Sequence, residues 1–410
     1  MKQPKAENKS NKEVLDMKNF NEVVVALAAQ LSNAKIPYQF TNSTSLKLQG
    51  VSLPESKKID IVFQWDFLDA TYTLFLNNNP SEVHKNESEA TFHFFEQELK
   101  VSFTCLFNQT VKTDPYRIMV NLEGNELWCQ SLYSYLYSRK SEFEEEIHTF
   151  LREKQLEMSV ENESAWNQNN YLALVNRHGN AVEVAKKIKD NPKWRLHPFY
   201  KYLHDVSDKK IIHLMGSNGI KAVALAILGG QVSVVDFSKE NERFAKEIAR
   251  EAGVSLQYIV SDVLSLPQEM QNGSHDIVLM ELGVLHYFID LSPLAKIVNQ
   301  LLKENGVYIL HEFHPLSTKL ITSTGKKHKI TGDYFDPSIK ESNVAFTKHM
   351  PTEEQNSLAG VYQRHWTLGE IITTFAKQGL YVEVLEEEPN HKLHDIGLPK
   401  TFTLLARKHK

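Results

Sequence analysis

The chain has 410 residues, a formal net charge of −5 at pH 7, and a composition of 41% hydrophobic and 24% charged residues. This length predicts two domains, and this composition is typical of an ordinary soluble globular protein. The acidic balance and the lack of a dense lysine or arginine stripe disfavour a nucleic-acid substrate, because nucleic-acid binders present a basic face to phosphates.

The sequence contains no signal for a membrane or for secretion. No apolar run approaches the roughly 20 residues that a membrane-spanning helix requires. The polar amino terminus lacks the apolar core of a secretory signal. Two cysteines, Cys105 and Cys129, do not make a disulfide framework. We therefore expect a cytoplasmic protein without a membrane partner.

The amino-terminal third differs from the rest of the chain. Residues 1–18 are polar and predict a short disordered tail, and residues 19–157 predict an α+β domain. Apolar residues alternate at period two in several short stretches, among them 59–63 and 72–76, which predict strands. The polar stretch 158–163 lacks apolar periodicity, so the domain boundary is expected there.

The start of this domain resembles a nucleotidyltransferase-like domain in the order of its first helix, the segment 38–50 and the strand that contains Asp60. That family uses a Gly-Ser turn and carboxylates at alternate strand positions to hold two metal ions. Here the turn begins Asn42-Ser43, and Lys58 stands two residues before Asp60. The resemblance therefore implies a degenerate, non-catalytic domain that serves substrate, protein or self association. An unrelated α+β domain is the alternative.

The second domain is expected over residues 164–410. A predicted strand over 211–215 is followed by Gly216, Ser217 and Gly219 and then by a helix, and the next strand ends in Asp236. In doubly wound sheets, ligands bind at the carboxyl ends of the strands. Glycines permit a tight turn and a close backbone approach there, and an acid roughly 20 residues further on accepts ribose hydroxyls.

Two further strands also end in polar residues. Strand 258–260 leads to Asp262, and strand 276–280 leads to Glu281 and, five residues later, His286. With these four motifs in this order, residues 160–408 resemble the class I S-adenosylmethionine-dependent methyltransferases. The resemblance implies an α/β fold, a Rossmann-like seven-stranded sheet with helices on both faces, and S-adenosyl-L-methionine as the cofactor.

The resemblance also implies which residues contact the cofactor. They lie in the glycine turn and after strands two, three and four: Gly216, Ser217, Gly219, Asp236, Phe237, Asp262, Val263, Glu281 and Leu282. Related proteins cover the cofactor with a helix ahead of the sheet, which makes Tyr171 and Arg177 candidates for binding the methionine carboxylate. The alternative places Tyr171 in the core and Arg177 on the surface. Where the family often has an acid before the turn, this chain has Leu214.

The remaining elements agree with that fold. Thr367 and Glu370 have the spacing of a helix capping box, and residues 381–385 and 401–406 predict a closing strand pair. The resemblance makes that pair antiparallel. Residues 315–362 are long for a connection and contain aromatic side chains, which favours a lid over a small-molecule acceptor.

Methyl transfer mainly requires alignment of donor and acceptor and exclusion of water. An oxygen or nitrogen acceptor also needs a proton acceptor, for which His286 and His314 are candidates, with Glu281 or Glu312 as an orienting or proton-accepting carboxylate. A metal site made by these four residues is the less favoured reading, and no metal is expected. Other functions left open are a nicotinamide-dependent oxidoreductase, a non-catalytic cofactor-binding scaffold and, less favoured, protein or nucleic-acid methylation.

Overall fold

Two seven-stranded sheets provide the framework of the chain. The computed structural model describes residues 6–137, 142–324, 327–389 and 397–409. The chain divides into two units, Met1–Leu151 and Arg152–Lys410. Among the described residues, no helix is both long and apolar enough to cross a bilayer.

The first unit is an α+β domain. Its described elements are α1 (Ala6–Asn33), β1 (Tyr38–Phe40), α2 (Asn42–Leu48), β2 (Lys58–Phe63), α3 (Leu68–Leu74), β3 (His84–Lys85), β4 (Glu89–Glu96), β5 (Leu99–Leu106), β6 (Arg117–Leu122), β7 (Asn125–Gln130) and α4 (Tyr133–Tyr137). The strand order is β3-β4-β5-β2-β1-β7-β6. Buried and half-buried residues alternate along β5, because one face of the sheet packs against the core that α1 completes. The resemblance of this unit to a nucleotidyltransferase-like domain stays a prediction.

Two expectations for this unit need correction. Helix α1 begins at Ala6, so residues 6–18 of the predicted disordered tail are helical, and residues 1–5 lie outside the described residues. The segment 6–18 lacks glycine and proline and is rich in helix formers. The predicted strand 72–76 falls on α3 and the turn after it. There, Thr71 and Phe75 are buried four residues apart, which is the helical period.

The predicted domain boundary at 158–163 lies inside the long helix α5 (Glu144–Trp166), and the division between the units falls between Leu151 and Arg152. The apolar periodicity of α5 was hidden because two of its buried positions are polar. Gln155 and Asn162 occupy the same buried face as Met158. Both amides are hydrogen-bonded, which makes their burial acceptable.

The second unit alternates helices and strands. After α5 its described elements are α6 (Asn170–His178), α7 (Ala181–Asp190), α8 (Pro192–Arg195), α9 (Tyr200–Leu203), β8 (Lys210–Leu214), α10 (Ile220–Ile227), β9 (Gln231–Asp236), α11 (Lys239–Ala252), β10 (Gln257–Val260), β11 (His275–Glu281), α12 (Ser292–Leu301), β12 (Leu302–Phe313), β13 (Ile321–Thr324), β14 (Lys327–Ile330), β15 (Ile339–Ser342), α13 (Thr352–Gln355), β16 (Val361–Arg364), α14 (Leu368–Lys377), β17 (Leu380–Pro389) and β18 (Pro399–Lys408).

The main sheet of this unit has the order β10-β9-β8-β11-β12-β18-β17. Its first five strands are parallel, β18 runs antiparallel to β12, and β17 runs antiparallel to β18. Successive residues of β8 face opposite cores: Ile211 packs with α10 and α11, and Ile212 packs with α12 and α14. The predicted α/β sheet with helices on both faces and antiparallel closing strands is confirmed. The capping box of Thr367 and Glu370 at the start of α14 is confirmed as well.

The long insertion after β12 contains two small antiparallel hairpins, β13–β14 and β15–β16. Part of it is core rather than cover, because Val344, Phe346 and Met350 are buried in the cluster that contains α6 and α11. Lys319, near the start of the insertion, donates to the carbonyl oxygens of Asp336 within it and of His365 just after it, at 2.6 and 2.8 Å. A lid function for residues 315–362 stays a prediction.

Candidate functional site

The turn after β8 adopts the left-handed conformation at every second residue. Met215, Ser217 and Gly219 have φ angles of 51°, 45° and 72°. Left-handed backbone costs a residue with a side chain on the order of 1–2 kcal/mol, so two of these positions are strained. Gly216 does not share this conformation, and its role is steric: a Cβ there would lie 2.8 Å from Val234 Cγ1 and 2.9 Å from His213 Nδ1. The expectation that Gly216 serves the turn by its conformation is corrected accordingly.

Asp236 stabilises this turn from the end of the neighbouring strand. Its Oδ2 accepts a hydrogen bond from the Ser217 N–H at 3.1 Å. Its Oδ1 accepts from the Ser238 N–H at 2.9 Å and from Asn241 Nδ2 at 3.2 Å. Burial raises the pKa of the Asp236 carboxyl, and these three hydrogen bonds oppose the rise. A carboxylate accepts about four hydrogen bonds, so Asp236 retains capacity for a ligand hydroxyl.

A recess opens beside Asp236 at the carboxyl edge of the sheet. Four of the residues predicted for the cofactor line it, namely Asp236, Phe237, Asp262 and Val263. Asp262 begins the turn after β10, where its Oδ1 accepts from the Leu264 N–H at 2.7 Å. The structure therefore brings the residues after strands two and three together around one space.

Other residues of the recess were not predicted from the sequence. Gln155 and Ser159 of α5 line it together with Tyr287. The Gln155 amide donates to the Tyr287 carbonyl oxygen at 2.9 Å and accepts from the Ile289 N–H at 2.8 Å, which holds the loop after β11. The sequence does contain a signal for Gln155, namely a glutamine at a core position of an amphipathic helix.

Glu281, at the end of β11, faces two basic side chains. Its Oε2 lies 3.3 Å from Lys221 Nζ, and its Oε1 lies 4.0 Å from His213 Nε2. Burial lowers the pKa of His213 to about 4, so its imidazole is neutral near pH 7. Leu282 follows in the left-handed conformation, with φ 47°, and its side chain is exposed.

Glu312 organises the loop after β11 instead of facing a substrate. Its fully buried carboxylate accepts hydrogen bonds from four backbone N–H groups, those of Gly283, Val284, Leu285 and Phe313, at 2.5, 2.9, 3.2 and 2.7 Å. Burial raises the pKa of Glu312, and the four amides oppose the rise. Because these donors occupy its oxygens, Glu312 fits a structural role better than a proton-accepting one.

The two histidine candidates lie in different surroundings. His314 accepts from the Leu316 N–H through Nδ1 at 3.1 Å, and its Nε2 lies 2.7 Å from Glu387 Oε1, so both ring nitrogens are occupied. His286 stacks on His365 with ring centres 4.4 Å apart. Burial lowers the pKa of His286 to about 4. Among the described residues, no group of three His, Cys, Asp or Glu side chains is arranged to hold a metal ion.

Tyr171 and Arg177 lie on α6, and neither belongs to the recess. The Tyr171 hydroxyl donates to Glu247 of α11 at 2.5 Å. The Arg177 guanidinium lies over the ring of Phe346 at 5.0 Å. Both side chains thus have contacts away from the glycine turn, and their predicted contact with a ligand carboxylate stays a prediction.

The chain was also compared with known proteins, and one comparison covers the candidate site. Residues 215–310 match the sequence model of a family described as a methyltransferase domain. This match runs from the glycine turn into β12 and includes Asp236, Asp262 and Glu281. This segment of the second unit is therefore similar to a methyltransferase domain.

The chain is also similar to a curated relative, the ubiquinone biosynthesis O-methyltransferase of Rickettsia prowazekii (strain Madrid E). The two are 24% identical over 147 residues, which is 35% of this chain. The chain spans about half the length of that relative, 52%.

Two solved structures are similar to part of this chain. A putative S-adenosylmethionine-dependent methyltransferase from Listeria monocytogenes is 22% identical, with a TM-score of 0.44, and covers 54% of this chain and 100% of its own. An S-adenosylmethionine-dependent methyltransferase from Mesorhizobium loti is 19% identical, with a TM-score of 0.43, at coverages of 54% and 100%.

Proposed function

We propose that this chain transfers a methyl group from S-adenosyl-L-methionine to an oxygen or nitrogen atom of a small molecule. The observation that carries the proposal is the convergence of Met215, the first residue of the turn after β8, with Asp236 and Asp262 at one recess, within the residues that match the methyltransferase family. The Rickettsia relative is named as an O-methyltransferase, which favours an oxygen acceptor, so small hydroxylated compounds are the first to test.

The residues present fit this cofactor. At Gly219 a Cβ would lie 2.4 Å from the Cβ of Ala245, so this turn packs directly on α11 at a position where only glycine has room. Asp236 retains acceptor capacity for a ribose hydroxyl, and Phe237 provides an apolar ring beside it. Asp262 provides a carboxylate for an adenine amine at the other side of the recess.

The bound cofactor supplies a methyl carbon activated by a sulfonium. The acceptor oxygen or nitrogen would have to give up its proton as it takes that methyl group. The protein orients the two reactants and excludes water. Buried Phe288, held in the loop that Gln155 and Glu312 organise, serves the exclusion of water.

The proton that the acceptor loses needs a group to receive it, and of the candidates His286 is the one whose ring is available. Its neutral ring has no hydrogen bond to the described residues, whereas both nitrogens of His314 and the oxygens of Glu312 are occupied. A base with a pKa of about 4 is weak at neutral pH. This favours acceptors that lose a proton readily, such as phenols.

The test is calorimetric titration of S-adenosyl-L-methionine and, in parallel, NAD into the wild type and Asp236→Ala. We expect S-adenosyl-L-methionine to bind and the variant to bind at least tenfold more weakly, a difference of about 1.4 kcal/mol. Asp276→Ala is the matched control, because Asp276 also binds a backbone N–H, that of Lys210, but at the opposite edge of the sheet. Binding of NAD alone would favour an oxidoreductase and overturn the proposal.

A further inference from the structure

A short segment of the second unit concentrates positive charge in a chain whose total charge is negative. Residues 186–195 contain five basic side chains and one acid, Asp190, whereas the whole chain has a net charge of −5. Helix α7 packs Val184 and Ile188, four residues apart, into the core, so its three lysines are exposed. We define the α7–α8 surface as six residues of this segment: Lys186, Lys187, Lys189, Lys193, Trp194 and Arg195.

The basic side chains of the α7–α8 surface contact neutral acceptors. Lys187 Nζ donates to the carbonyl oxygen of His178 at 3.1 Å, and Lys189 Nζ donates to that of Glu251 at 3.0 Å. Arg195 Nη2 donates to the carbonyl oxygen of Lys187 at 3.3 Å, and its buried Nε has no partner among the described residues. Within the described ranges, none of the five basic side chains forms an ion pair, so their charge is available to an anion from outside.

The same positive charge acts on His178, the last residue of α6. Burial and then four basic neighbours lower the pKa of His178 to about 4. These neighbours are Arg177, Lys187, Arg195 and His349. The imidazole therefore stays neutral near pH 7, because a further positive charge is unfavourable there. The basic region thus extends from α7 and α8 to the end of α6.

An exposed tryptophan lies among these charges. The side chain of Trp194 is 63% exposed, the largest fraction of the chain's five tryptophans. Its backbone N–H donates to the Asn191 side chain at 3.1 Å, and its ring stacks on His197 with centres 5.2 Å apart. Lys193 Nζ lies 5.5 Å from the centre of the Tyr200 ring. A single exposed aromatic is ordinary on a protein surface, whereas one held beside uncompensated cations is an arrangement that binds single strands.

We propose that the α7–α8 surface binds a single-stranded nucleic acid, whose phosphates pair with the basic side chains while an unpaired base stacks on Trp194. An acidic polypeptide fits less well, because its carboxylates pair with the lysines but leave the indole uncovered. A duplex also fits less well, because its bases are already stacked on one another. None of the six residues lines the recess, so this inference goes beyond the proposed function, and either can fail without the other.

The test is the fluorescence anisotropy of labelled oligouridine RNA and, separately, oligothymidine DNA, titrated with the full chain without S-adenosyl-L-methionine. We expect at least one strand to bind, with an affinity that falls about tenfold or more between about 50 and 200 mM salt, because phosphate contacts release counterions. Trp194→Ala should weaken binding about fivefold or more, and Trp194→Phe should retain most of the affinity because it keeps an aromatic face. Lys193→Gln should weaken binding and reduce its dependence on salt.

Two matched variants serve as controls. Trp65→Ala removes another exposed tryptophan, and Lys246→Gln removes an exposed lysine of α11 that pairs with Glu242 at 2.6 Å. Both should bind the strand as the wild type does. Duplex RNA and polyglutamate are the competing ligands, and both should bind more weakly than the single strand.

Four results would overturn the proposal. They are no binding of either strand at low salt, equal or tighter binding of the duplex, equal or tighter binding of polyglutamate, and equal losses in Trp194→Ala and Trp65→Ala. Thermal melting identifies a variant that does not fold. If Trp194→Ala is that variant, the salt dependence of Lys193→Gln against Lys246→Gln decides.

Discussion

The hydroxyl group of Tyr258 donates a hydrogen bond of 2.7 Å to the carbonyl oxygen of Ser217. Tyr258 lies on β10, and Ser217 is the central residue of the left-handed turn after β8, two strands away. Burial raises the pKa of Tyr258 well above its usual value, so the hydroxyl stays protonated and remains a donor. Together with Asp236, which binds the Ser217 N–H, this contact holds both backbone polar groups of one strained residue.

Replacement of Tyr258 by phenylalanine removes that hydrogen bond and leaves the ring in place. We expect Tyr258→Phe to lower the free energy of unfolding by about 1 kcal/mol, measured by urea denaturation, and to weaken S-adenosylhomocysteine binding. Tyr308→Phe is the matched control, because among the described residues the buried Tyr308 hydroxyl donates only to the weak acceptor Sδ of Met280, at 3.3 Å. Equal losses in the two variants would contradict a specific role for the Ser217 contact.

Two glycines with nearly the same backbone conformation separate conformational strain from steric contact. Gly219 and Gly253 have φ angles of +72° and +73°, but an added Cβ would lie 2.4 Å from Ala245 Cβ at Gly219 and would contact nothing within 4 Å at Gly253. Gly253→Ala should cost only the left-handed penalty, about 1–2 kcal/mol. Gly219→Ala should cost a further 1–3 kcal/mol, roughly, by overpacking. The midpoints of denaturant unfolding report the destabilisation of both variants. Equal destabilisation would show that the protein relieves the contact at residue 219 without a cost in free energy.

Removal of the Glu312 carboxylate leaves four backbone N–H groups without their acceptor. Each buried donor that loses its partner costs about 1–3 kcal/mol, and water can satisfy some of them. We expect Glu312→Ala to destabilise the protein by about 3 kcal/mol or more in urea denaturation. The exposed Glu304 provides the control, since Glu304→Ala should change stability by less than about 0.5 kcal/mol. A loss in Glu312→Ala no larger than in the control would refute the structural role.

Acid should destabilise the protein in part through His213. Its pKa is about 4 in the folded state, against about 6.5 when unfolded, so the unfolded chain binds more protons between these values. The stability contributed by neutral His213 is therefore fully present above pH 6.5 and is lost as the pH falls towards 4. Between pH 7.5 and pH 5, the contribution of His213 to the free energy of unfolding falls by about 2 kcal/mol.

We expect the variant His213→Leu to lose that share of the pH dependence, measured as the difference in unfolding free energy between pH 7.5 and pH 5. The exposed His204 provides the control, and His204→Leu should retain the dependence of the wild type. An unchanged slope in His213→Leu would mean that His213 does not titrate across this range.

Local signals in the sequence were sufficient for the architecture of the second unit. Each strand that carries a site residue is a short apolar run ending in a polar residue, as at Asp236 and Asp262, and parallel strands bring those ends to one edge. The Thr367 capping box depends on residues three apart, so it too was predictable. These features arise from neighbours in the chain or from the period of a strand, which a sequence displays directly.

The tertiary structure decided what each polar residue does. Glu281 and Glu312 are both carboxylates at strand ends, yet Glu312 meets four backbone amides and Glu281 meets Lys221, because opposite faces of the sheet carry different loops. Gln155 reaches the recess from a helix that the sequence divided between two domains. The sequence by itself determined the fold of the second unit and the edge of its sheet where the candidate site lies. The partners of each side chain depend on contacts between segments distant in the chain, and only the packed structure determines those.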